Sequence, residues 1–179
     1  MAGDIKAKFG TVVSLTVTNL HSLAASAART AGWTSGGIDV LGGTAGPWLD
    51  VLVNATFTSH ASNRQAGNID IRVYSALDDT PTWGDLFSAG TEGTEGTATF
   101  HDSFRRNCGS KVLDTIPVDT TASAVYVMDN VSVVEKYGNV GLPTDFALFV
   151  ANNIATSTNA GLASSGSAVR YIPVLAQYT

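Results

Sequence analysis

The fold class of this chain is indicated by the stretch LDVLVNATFTS, Leu49–Ser59. An apolar residue occupies every second position: Leu49, Val51, Val53, Ala55 and Phe57. A period of two places these side chains on one face of an extended strand and the residues between them on the other. The pattern therefore predicts a strand that buries one face.

Similar short runs occur along the whole chain and are separated by Gly, Asn, Asp and Pro turns. In Asn68–Ala76 the same alternation predicts that Ile69, Ile71 and Val73 face inward and that Asp70, Arg72 and Tyr74 face outward. The other predicted strands are Thr11–Thr18, Ile38–Leu41, Thr97–His101, Lys111–Val118, Ser123–Met128, Val131–Lys136, Thr144–Ala151 and Val169–Gln177. Many short strands with turn residues between them predict an all-β antiparallel sandwich, jelly-roll-like, with at most one or two short helical turns.

The composition agrees with this fold class. Hydrophobic residues make up 44% of the 179 residues and charged residues 14%, against about 25% charged in an average domain. Such a chain can fill a core, and a net charge of −5 disfavours nucleic acid and anionic membranes as partners. We expect a flexible N-terminal arm over residues 1–9 and one sandwich domain over residues 10–179. The Ala-rich segment His21–Thr30 is compatible either with a turn or two of helix or with a packed loop.

Residue types that carry catalysis or bind metals do not form a recognisable motif. The three histidines lack ligand spacing, and a single cysteine, Cys108, excludes an intrachain disulfide or a multi-cysteine zinc site. In His101-Asp102-Ser103 adjacent residues would alternate faces of a strand, which a catalytic triad does not allow. Asp78-Asp79 could hold Ca²⁺, but Asp is also the common residue for starting a turn, and we favour the turn. We therefore expect no enzyme activity, no cofactor and no metal site.

Aromatic and basic residues on predicted loops are the candidates for contacts with a partner or another subunit. Aromatic residues and arginine are enriched at interfaces, and paired arginines can bind a carboxylate on a neighbouring subunit. Trp48 also falls on a predicted loop, and the candidate contact residues are Trp33, Trp83, Phe87, Phe104, Arg105 and Arg106.

The pattern resembles small structural proteins of tailed bacteriophage virions. The matching stretches are Val13–Thr16, Ser22–Ala24, Trp48–Val53, Val73–Ser75, Leu142–Asn153 and Tyr171–Val174. The resemblance implies a virion protein, synthesised in the bacterial cytoplasm, that decorates the capsid as a cement protein. It implies the major capsid protein and copies of itself as partners, with a homotrimer as the favoured assembly.

Two other functions stay open at this point. One is a component of the tail, the baseplate or the head-to-tail connector. The other is a carbohydrate- or receptor-binding module in which Trp33, Trp83 or Tyr74 stacks against a sugar.

Overall fold

The computed structural model describes residues 5–41, 48–62, 65–78, 80–154 and 161–178, and in this part of the chain it shows twelve strands and two short helices. The strands are β1 (Ile5–Phe9), β2 (Val13–Ser14), β3 (Ala31–Thr34), β4 (Ile38–Asp39), β5 (Trp48–Thr58), β6 (Gly67–Ser75), β7 (Phe87–Ala89), β8 (Gly96–Phe100), β9 (Lys111–Val118), β10 (Val125–Ser132), β11 (Asp145–Asn152) and β12 (Ala168–Tyr178). The helices are α1 (Ser103–Gly109) and α2 (Val133–Lys136).

These strands form two antiparallel sheets. The front sheet has the order β1-β12-β5-β10, with β2 also paired to β12. The back sheet has the order β7-β8-β3-β11-β6-β9, with β4 paired to β11. The predicted all-β sandwich is confirmed.

The strand pairs are nested in sequence, which gives the jelly-roll topology. The outermost pair joins β1 and β2 to β12, the next joins β3 and β4 to β11, and the inner pairs are β5 with β10 and β6 with β9. Successive nested pairs belong alternately to the front and the back sheet, so the chain is one long antiparallel ribbon wrapped around a core. Residues 76–110, called the insertion below, form the closed end of that ribbon.

The main core lies between the two sheets. Val51, Val53, Ala55 and Phe57 of β5 are buried there, as the alternation predicts. Leu49 differs, because it sits near the start of β5, where a register shift occurs against β12, and it stays 46% exposed.

Two neighbouring strands of the back sheet, β6 and β11, are buried on both faces, which the sequence pattern did not predict. In β6, Asp70, Arg72 and Tyr74 were expected to face solvent, yet all three are buried. A second apolar cluster, which includes Tyr74 and Phe149, covers that face. The prediction failed because alternation identifies which residues share a face of a strand and says nothing about what covers the polar-looking face.

The start of the chain and the predicted helical segment also differ from expectation. Residues 5–9, predicted to belong to a flexible arm, instead form β1, which pairs with β12 of the same chain from Ile5↔Tyr178 to Phe9↔Val174. Residues 1–4 lie outside the described part. The segment His21–Thr30 forms turns and a bridge without a helix, so it is the packed loop.

Both helices occur where the sequence analysis did not place them. The predicted strand Val131–Lys136 is wrong from Val133 onward, because α2 begins there. The Ser132 side chain accepts a hydrogen bond from the backbone N–H of Glu135 at 3.0 Å, which caps the helix. Ser-x-x-Glu is a capping-box sequence, and it is the signal that was missed.

Candidate interaction surface

The insertion covers the outer face of the back sheet with stacked aromatic rings. Phe87 lies edge-on to Phe100 with ring centroids 4.8 Å apart, and Phe100 lies 4.7 Å from Phe149 of β11. Tyr74 of β6 contacts both Phe87 and Trp83, each at 5.4 Å. Edge-on packing of this kind adds to the gain from burying the rings. The insertion is therefore attached to the sandwich by this apolar cluster as well as by the pairing of its strand β8 with β3.

Buried hydrogen bonds fix the position of this cluster. The Tyr74 hydroxyl shares a 2.6 Å hydrogen bond with the Thr34 hydroxyl and accepts one from the backbone N–H of Gly93 at 3.0 Å. Burial raises the pKa of Tyr74 to about 12, and these hydrogen bonds oppose the rise only in part. The phenol is therefore a neutral anchor that joins the sheet to the Gly-rich part of the insertion.

The Thr91–Thr97 segment, in which Thr-Glu-Gly is repeated, supplies two more anchors. Glu92 accepts hydrogen bonds from the two backbone N–H groups that lead into β7, at 2.9 and 3.0 Å. Glu95 accepts from the buried Trp33 indole at 2.8 Å and from the Asn19 backbone and side chain at 3.0 and 2.9 Å. Partial burial raises the pKa of Glu95, but these hydrogen bonds outweigh it and leave the pKa below its ordinary value. The repeat therefore positions two carboxylates that brace the insertion.

Helix α1 buries none of its residues against the sandwich. Asp102 caps it by accepting from the backbone N–H of Arg105 at 2.7 Å. Phe104 on its first turn is 74% exposed. A helix of seven residues is too short to be stable alone, so it must be held by contacts outside itself.

Ionic contacts hold one side of α1. The Arg105 guanidinium donates to the side-chain carboxylate of Asp85 at 2.9 Å and to its backbone carbonyl at 2.6 Å. His101 Nε2 lies 3.1 Å from the same carboxylate. Hydrogen bonds from Arg105 and then His101 lower the pKa of Asp85.

A buried arginine holds the other side. Arg72 of β6 donates to the carbonyl of Arg106 at 3.2 Å, to the Ser110 hydroxyl at 3.1 Å and to the Asn107 side chain at 3.3 Å. Burial, followed by the nearby charge of Arg106, lowers the pKa of Arg72. The Arg106 guanidinium donates in turn to the carbonyl of Ala28. These contacts fix both ends of α1.

The six predicted contact residues divide into four groups. Trp33 is fully buried in β3 and Phe87 is buried in β7, so their assignment to surface loops was wrong, as was that of Trp48, which begins β5. Trp83 is half-buried against Tyr74. Arg105 and Arg106 bind groups of their own chain, and Phe104 alone of the six is largely exposed.

The proposed sugar-stacking residues do not form an open platform. The rings of Trp33 and Tyr74 are fully buried, and Trp83 is half-buried beneath Gly93, where an added Cβ would lie 2.5 Å from the indole. A separate depression of about 430 Å³ between the residue 18–25 segment and β8 is lined mostly by small and hydroxyl side chains, with Asn19, His21 and Leu23 but no Phe, Tyr or Trp among them.

The carboxylates do not assemble into a metal site in the part of the chain that the structure describes. No group of three or more His, Cys, Asp or Glu side chains there is placed to hold an ion. Asp78 accepts from the backbone N–H of Thr82 at 2.9 Å, as a turn-forming Asp does. Asp79, the other half of the predicted calcium motif, lies outside the described residues.

Comparisons with protein-family models, curated proteins and solved structures found no match. Within the described ranges, neither helix has the length and apolar composition needed to cross a membrane.

Proposed function

We propose that this chain is a non-enzymatic structural component of a phage virion, a capsid cement or decoration protein that binds the major capsid protein and copies of itself. The observation that carries the proposal is the exposure of Phe104 on a helix whose neighbouring side chains serve to hold it. A large exposed aromatic on a fixed backbone is the typical centre of a protein–protein contact.

The cost of holding α1 supports a binding role. Arg72 is 7% exposed, and placing a guanidinium there carries a desolvation penalty. The hydrogen bonds that offset this penalty hold a helix that adds nothing to the core, since α1 has no buried residue. Pre-ordering a contact segment lowers the entropy lost on binding, which gives this arrangement a physical purpose.

The binding free energy expected from one such contact is modest, but the total becomes large when the contact is repeated over a shell. Burying the exposed part of a phenylalanine side chain contributes roughly 3 kcal/mol. A shell with many copies of the contact sums these gains over the whole particle. A jelly roll suits this task because its sheets are joined by nested pairs while the insertion is free to carry the contact.

The resemblance to virion proteins implies three copies in the assembly. Nothing in the described residues selects three-fold symmetry, so a trimer is not part of the proposal. A place in the tail, baseplate or connector would use the same surface, and copy number separates the two. Cement proteins occur in hundreds of copies, whereas tail parts occur in about six or twelve.

The test is binding of the purified chain to capsids of the encoding phage that lack this protein. We expect saturable binding at hundreds of copies per capsid, and we expect Phe104→Ala to weaken it by about a hundredfold, the equivalent of roughly 3 kcal/mol. Phe9→Ala is the matched control, because Phe9 is 68% exposed but lies on the front sheet. No binding, or equal binding by Phe104→Ala and wild type, would overturn the proposal.

A further inference from the structure

The outer face of the front sheet is open to solvent over the described residues of β10, β5 and β12. Val125 and Val127 on β10 are 60% and 62% exposed there. The register pairs Val127 with Thr56 on β5, and Thr56 with Ala168 on β12. Beside Thr56 of the central strand β5, the bulky Val127 therefore lies on one side and the small Ala168 on the other.

Two opposite charges flank the same strand. Arg170 on β12 pairs in register with Asn54 of β5. Asp129 lies across β5, in the register shift between Met128 and Val131 of β10. Arg170 and Asp129 both line one concavity of about 180 Å³ on this face. Both are exposed, and neither forms an ion pair with another described residue.

We propose that the outer face of the front sheet binds a second copy of this chain about a two-fold axis parallel to β5. Such an axis exchanges β10 and β12, so it brings Arg170 of each copy opposite Asp129 of the other. It also brings each Val127 opposite an Ala168. The face is therefore self-complementary in both charge and size, which a two-fold contact requires.

The dimensions predict a weak contact. Three strands about 4.8 Å apart and eight residues rising about 3.3 Å each give a projected area of about 400 Å² per copy. A standard interface buries about 800 Å² per partner, so this one belongs with weak, reversible contacts. We expect a dissociation constant in the micromolar range, within reach of the concentrations tested below. On a crowded particle the local concentration would be high enough to populate such a contact.

This inference does not depend on the proposed capsid binding. The pairing face is on the front sheet, whereas Phe104 belongs to the insertion on the back sheet. A chain that dimerises and fails to bind capsids would contradict only the proposed function. A chain that binds capsids as a strict monomer would contradict the pairing and the self-association in the proposed function, and would leave the capsid binding intact.

The experiment is sedimentation-velocity ultracentrifugation of the full chain from low micromolar to several hundred micromolar. We expect a reversible monomer–dimer equilibrium. Val127→Asp buries a charge in the contact and is expected to raise the dissociation constant by about a hundredfold. Val140→Asp is the matched control, because Val140 is 87% exposed in the segment between α2 and β11, outside the three strands that form this face, and should leave the equilibrium unchanged.

A charge exchange gives the decisive comparison. Arg170→Asp and Asp129→Arg each replace two attractive contacts by repulsive ones and should raise the dissociation constant about tenfold or more. The double variant restores opposite charges across the axis and should recover the wild-type value. A monomer at every concentration, a trimer, an equilibrium insensitive to Val127→Asp, or a double variant without recovery would each overturn the inference.

Discussion

Tyr74→Phe removes one hydroxyl and tests whether the insertion is fixed by buried polar contacts. The hydroxyl bonds to Thr34 at 2.6 Å and to the N–H of Gly93 at 3.0 Å, and the Tyr74 residue is fully buried. After the change, the Gly93 N–H loses its acceptor, while the Thr34 hydroxyl keeps the carbonyl of Ser35 at 3.4 Å. One lost hydrogen bond plus one orphaned donor costs about 2 kcal/mol of unfolding free energy. For a domain of this size that corresponds to a fall of about 4–8 °C in Tm.

The assay is urea unfolding followed by tryptophan fluorescence and, separately, by far-UV circular dichroism. Trp83 contacts Tyr74 edge-on, so fluorescence reports on the insertion as well as on the whole fold. Tyr126→Phe is the matched control, because its hydroxyl bonds to the exposed Asp119 at 2.7 Å. We expect the control to change stability by less than about 0.5 kcal/mol. If Tyr74→Phe and Tyr126→Phe are equally mild, the reasoning about the buried anchor is refuted.

Two further perturbations test the neighbouring anchors. The lowered pKa of Glu95 means that its carboxylate stabilises the fold above its ordinary pKa of 4.5 and that this contribution is lost as the pH falls. The stability difference between wild type and Glu95→Gln, measured by urea unfolding over a pH series, should therefore shrink in acid; a difference that stays constant with pH would contradict this. Gly93→Ala should be strongly destabilising, because Gly93 has φ +67° and its added Cβ would collide with Trp83. Gly138→Ala, at φ +75° with open space around it, should cost only about 1 kcal/mol when both variants are compared by urea unfolding, and equal costs at both positions would show that the collision is absent.

Much of the fold could be predicted because it follows from local patterns. The alternation in Leu49–Ser59 identified the inward face of β5, and the same pattern in Asn68–Ala76 identified Ile69, Ile71 and Val73 as core residues. Both follow from the two-residue period of a strand, which a short window of sequence contains in full. The Ser-x-x-Glu capping box at the start of α2 is equally local, and it predicts a helix start at Ser132 from the sequence alone.

The candidate site was only partly predictable. Phe104 was correctly singled out as an exposed aromatic, but Trp33 and Phe87 were placed on the surface although they are core residues. Residue type indicates that a tryptophan is large and amphipathic, and both buried and exposed positions accept such a residue. Whether a given tryptophan is buried or exposed depends on whether a segment distant in sequence packs over its side chain.

The sequence alone determined that this chain is a sandwich of short strands with low surface charge. Only the tertiary structure decided that the outer side of β6 is covered, that Arg72 lies beneath α1 and that Arg170 and Asp129 share one open face. The physical reason is the range of the interactions. Alternation and caps act within a few residues, whereas the burial of Tyr74 under Gly93, and the placing of β10 and β12 on either side of β5, depend on contacts between segments far apart in the chain.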